Sequence, residues 1–96
     1  MKKLFVFFFL YLSSTLMAQE LEVALKNGTE AEKAAKAQLE RIYEQFQEQI
    51  KDWIFTYQVI IAERAIPHSH PVLTLNSRYL KDDLKQLSTF LHEQFH

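Results

Sequence analysis

Hydrophobic and polar positions divide the chain into two helical patterns around a strand-like middle. Ala35, Leu39, Ile42, Phe46, Ile50 and Trp53 recur at three- and four-residue steps. At about 100° per residue they gather within roughly 80° of one another. Glu40, Glu44, Gln47, Glu48 and Lys51 take the other sides. Thr29 and Glu32 have the spacing of a capping box, and Asn27-Gly28 before them reads as a turn. The pattern predicts a polar lead over 19–28 and then one long amphipathic helix over 29–52, with Glu32 and Lys36 as an i,i+4 ion pair.

From Trp53 to Ile61 the chain is dense in aromatic and β-branched residues, with Thr56 and Gln58 alternating among them. This predicts a strand whose aromatics are buried against the helix. Residues 62–71 contain Pro67 and Pro71 and read as a solvated loop carrying His68-Ser69-His70. Val72-Leu73-Thr74-Leu75 predicts a second short strand, and Asn76-Ser77 a turn. Asp82 or Asp83 then caps a final helix with no Gly or Pro up to His96. Leu84, Leu87, Ser88, Leu91 and Phe95 fall on one side of it, with His92 and His96 on the shoulder and Glu93 further round. The predicted fold class is α+β: a long helix on a small sheet, closed by a second helix.

Composition adds a targeting segment. Lys2 and Lys3 precede the apolar run Leu4 to Leu12, Ser13-Ser14-Thr15 breaks it, and Ala18 offers a small residue before a cut. Residues 1–18 therefore read as a secretory signal peptide, the apolar stretch being shorter than a membrane span needs. The expected product is exported, to a periplasm or the medium, with no stable membrane anchor after cleavage. Without Lys2 and Lys3 it carries about −3 of formal charge, and it has no basic stripe for nucleic acid. With no cysteine there is no disulfide staple, so residues 19–96 allow one domain with a modest core.

The chemistry concentrates at the end of the chain. His92-Glu93-Gln94-Phe95-His96 reads H-E-x-x-H. On a helix, two histidines four apart stand one turn from each other and can hold one zinc ion, with the glutamate placed to polarise a water on it. In its strand–turn–helix setting, Val72 to His96, this motif resembles the zincin superfamily of metallopeptidases. The resemblance spans about 25 residues and does not select a subfamily. It implies Zn2+ as cofactor, His92 and His96 as ligands, Glu93 as general base and a peptide or protein as substrate.

In that superfamily a third ligand comes after the motif, and nothing follows His96. The expectation is therefore an N-terminal part of a zincin-like domain, cut short and inactive as it stands. His68 or His70 folding back would be a different source of a third donor. The alternative function is a small secreted binding or structural protein that uses the helix over 29–52 as its interaction surface.

Overall fold

A computed structural model describes residues 20–96. The expected signal peptide, residues 1–18, lies outside the described residues. The elements run β1 (Glu22–Leu25), α1 (Glu30–Ile50), a 3-10 turn (Lys51–Trp53), β2 (Gln58–Ile61), β3 (Leu73–Leu75) and α2 (Asp83–Gln94). The three strands form one parallel sheet in the order β1-β2-β3. Val23 pairs with Val59 and Val59 with Leu73. This is the α+β class expected, with two helices and three strands.

α1 begins where the capping box placed it. The Thr29 hydroxyl accepts from Glu32 N at 3.1 Å, and Glu32 Oε1 accepts from the backbone N–H of Asn27, Gly28 and Thr29 at 2.9, 2.7 and 3.3 Å. Gly28 has φ +72°, the left-handed conformation that lets these successive N–H groups converge. Glu32 Oε2 accepts from Glu63 N at 3.0 Å and so ties the start of α1 to the chain leaving β2. The carboxylate is thereby engaged by backbone, and the expected Glu32–Lys36 ion pair does not form. The ion pairs along α1 are Lys33–Glu30 and Lys51–Glu48, both exposed.

The core joins Val23, Val59, Ile61, Leu73 and Leu75 of the sheet to Ala35, Leu39, Ile42 and Ile50 of α1 and Phe90 of α2. α1 packs on β1 and β2, α2 on β3, and the helices touch each other, so both cover the same face. Glu22, Ala24 and Gln58 are exposed on the other face. The apolar stripe of α1 is as predicted except at Trp53, which sits in the 3-10 turn and is 52% exposed. The sheet covers that stripe, and Glu40, Glu44 and Glu48 of α1 face outward.

Two strand expectations need correction. A third strand, β1, lies in the supposed polar lead, where Leu21, Val23 and Leu25 alternate with Glu22 and Ala24. The strand expected over 53–61 is confined to Gln58–Ile61. Residues 54–56 precede it without strand pairing, because the N–H groups of Phe55 and Thr56 both donate to Gln94 Oε1, each at 2.8 Å, and Tyr57 O is the first to accept from β1, from Glu22 N at 2.8 Å. Tyr57 is half-buried and meets Tyr43 edge to face, whereas Phe55 is 65% exposed. Among the described residues no helix is long and apolar enough to cross a membrane.

Candidate metal centre

The site depends on how α2 is set into the molecule. Asp82 caps it, its Oδ1 accepting from Lys85 N at 3.1 Å. Arg41 of α1 grips Asp83 with two bonds of 2.8 and 2.9 Å. Gln38 Nε2 donates to Asp83 Oδ1 at 3.1 Å and to Tyr79 O at 2.6 Å. The hydrogen bonds from Arg41 and then Gln38 hold the Asp83 carboxyl down at about 2. At the other end, Gln94 Nε2 donates to Thr56 O at 2.8 Å while its Oε1 takes the two N–H groups already described.

These anchors fix the rotation of α2. Gln86, Phe90, Glu93 and Gln94 are buried, while Leu84 and Phe95 are 69% and 62% exposed. The inward face is therefore turned by roughly 120° from the Leu84–Leu87–Leu91–Phe95 face that periodicity suggested. The physical reason is that Phe90, the largest fully buried side chain, fills the core between two buried glutamines whose amides bond backbone. Gln86 Nε2 donates to Asn76 O at 3.3 Å.

His92 and His96 are consequently on the exposed side. The helix proper stops at Gln94, so His96 lies just beyond it rather than within it. Phe95 N donates to His92 O at 3.2 Å and His96 N to Glu93 O at 3.4 Å, the tighter pattern of a terminal 3-10 turn. That extra turn keeps the rings together: the centroids are 4.5 Å apart, and His92 Nε2 is 2.8 Å from His96 Nε2. At this separation one ring donates and the other accepts, so a single proton lies between them. A metal held by both at 2.0–2.1 Å in tetrahedral geometry needs about 3.3 Å between the nitrogens. The pair has to spread by only about 0.5 Å to exchange the proton for a metal ion.

Glu93 is 8% exposed, on the inward side of α2. Among the described residues its carboxylate accepts no hydrogen bond. Other buried polar side chains are engaged: Glu32 by four backbone N–H groups, Gln94 by three backbone contacts, and Gln86 and Thr74 by backbone carbonyls. Gln38 Oε1 is the one sealed and unpaired side-chain oxygen or nitrogen among the described residues, so the Glu93 carboxylate is not sealed from water.

His68 and His70 are exposed, as expected for the loop. Their segment is nonetheless anchored, since His68 and Thr74 exchange backbone bonds of 3.1 and 2.7 Å along the outer edge of β3. His70 Nε2 stands 3.3 Å from the carbonyl oxygen of His96, across 26 residues of sequence. As their side chains stand, no group of three His, Cys, Asp or Glu among the described residues is arranged to hold a metal. The residue missed from sequence is Gln94, whereas the sequence offers His70 only as one of two histidines that could fold back. Gln94 occupied a variable position of the motif, and nothing local signals the contact of His70.

A separate hollow of about 590 Å³ opens where β1 and β2 end, lined by Lys26, Asn27, Thr29, Glu63 and Arg64 among others. Strand ends of this kind are the usual ligand crevice of parallel sheets. Here Glu32 already takes the N–H groups of Asn27, Thr29 and Glu63, and no residue of α2 lines the hollow. The histidine corner is the better candidate on its chemistry.

No protein-family model matches the chain, and neither a curated protein nor a solved structure matches it.

Proposed function

We propose that this chain is an exported zincin-like protein whose histidine corner binds Zn2+ for peptide-bond hydrolysis. The observation that carries this reading is the pair of exposed Nε2 atoms, 2.8 Å apart, with an unengaged carboxylate one residue along the same helix. His92 and His96 would hold the ion. Bound there, zinc supplies Lewis acidity and brings the pKa of a water ligand toward about 7. Glu93 would be the general base, taking a proton from a water that attacks a peptide carbonyl and returning it to the leaving amine. For that role its carboxylate has to turn from the inward side of α2 toward the histidines, a motion not opposed by a hydrogen bond from another described residue.

Zinc affinity of the full chain, measured by competition with a chromogenic chelator, tests the ligands. One equivalent should bind, and His92→Ala and His96→Ala should each abolish it. Glu93→Gln separates the base from the ligands: zinc affinity should stay, and any peptide hydrolysis by the zinc-loaded chain should vanish. Hydrolysis that survives Glu93→Gln removes Glu93 from the mechanism.

A further inference from the structure

The paired rings of His92 and His96 have a third histidine nearby, His70, whose ring reaches the backbone of His96. His92 and His96 come from the end of α2, and His70 from the segment joining β2 to β3. Two backbone bonds between His68 and Thr74 clamp that segment to β3. Two residues further on, the His70 ring is 3.3 Å from the His96 carbonyl. The flanking Pro67 and Pro71 restrict the backbone on either side, so the backbone of His70 is held beside the end of α2 while its exposed ring can turn. His68 differs, because it lines a hollow shared with Ala24, Ile60 and Thr74 on the other face of the sheet.

Building on the zinc reading, we propose that His70 is the third protein donor of the site and completes a three-imidazole set with His92 and His96. Two imidazoles leave half of a tetrahedral zinc to water, whereas three protein donors and one open position are the arrangement of catalytic zinc. All three side chains are exposed, so bringing the third ring onto the ion disturbs no core packing. Exposed rings change rotamer within nanoseconds, and the contact His70 gives up is a single hydrogen bond to a carbonyl. The third donor then comes from upstream of α2, through the sheet edge.

The test compares Zn2+ affinity and the visible spectrum of the Co2+-loaded full chain among His70→Ala, His70→Gln, His68→Ala, His92→Ala and His96→Ala. His70→Ala should weaken zinc binding by about tenfold or more and replace intense four-coordinate cobalt bands with weak six-coordinate ones. His70→Gln keeps a donor for the His96 carbonyl but not an imidazole, and should behave like His70→Ala. His68→Ala should match the unsubstituted chain. Unchanged affinity and spectrum in both His70 variants, with binding still lost in His92→Ala, overturns the third donor and leaves the two-histidine site standing. Binding indifferent to His92→Ala and His96→Ala overturns both.

Discussion

Gln94 stands in for a strand partner, its amide accepting from Phe55 N and Thr56 N and donating to Thr56 O. It is buried, so Gln94→Ala removes three part-buried bonds and leaves two backbone donors without their partner. The expected cost is about 1–3 kcal/mol in chemical denaturation, the range for leaving buried polar groups unsatisfied. Asp83 and Glu32 act through charge. Burial works against ionising Glu32, but the N–H groups of Glu63, Asn27, Thr29 and Gly28 outweigh it and lower its pKa. Asp83 is lowered to about 2, chiefly by Arg41. A depressed folded-state pKa gives stability that is complete above the ordinary carboxylate range near 4 and is lost as pH falls below it. Stability measured against pH should therefore fall between about 4 and 2, and Asp83→Asn should flatten that limb while lowering stability at neutral pH.

At the scale of elements, the two helices differ in how much of their placement is written locally. α1 could be read from Thr29, Glu32 and a periodic stripe because its cap and its apolar face lie within its own sequence. α2 could be located from Asp82 onward, but its rotation could not. That rotation is set by Arg41 and Gln38 meeting Asp83 and by Gln94 meeting residues 55 and 56, contacts about forty positions apart. β1 was missed: Leu21, Val23 and Leu25 do alternate with Glu22 and Ala24, but four residues before a strong helix carry little weight alone. The rotated face makes a direct prediction. Phe90→Ala should cost about 3–5 kcal/mol, most of the stability of a small domain. Leu84→Ala, on the face that periodicity favoured, should stay within about 0.5 kcal/mol. A thermal or urea melt of the two variants distinguishes the faces.

In the whole molecule, a one-sided sheet places both helices on the same face, and the end of α2 meets the segment along the outer edge of β3. The histidine pair was legible because H-E-x-x-H is a local spacing that survives the turn beyond Gln94. The approach of His70 was not, since it depends on the pairing of His68 with Thr74. The burial of Glu93 was also hidden, because it follows from the rotation of α2. The central claim is that the Nε2 atoms of His92 and His96 share one metal ion. The most direct measurement is a Zn2+ titration of uniformly 15N-labelled full chain, followed through long-range proton–nitrogen spectra of the imidazoles. At one equivalent, both His92 and His96 Nε2 resonances should move to the metal-bound range together, with the Nδ1 nitrogens carrying the protons. Nε2 resonances of His92 and His96 that stay in place, at zinc concentrations that saturate the rest of the spectrum, would contradict it.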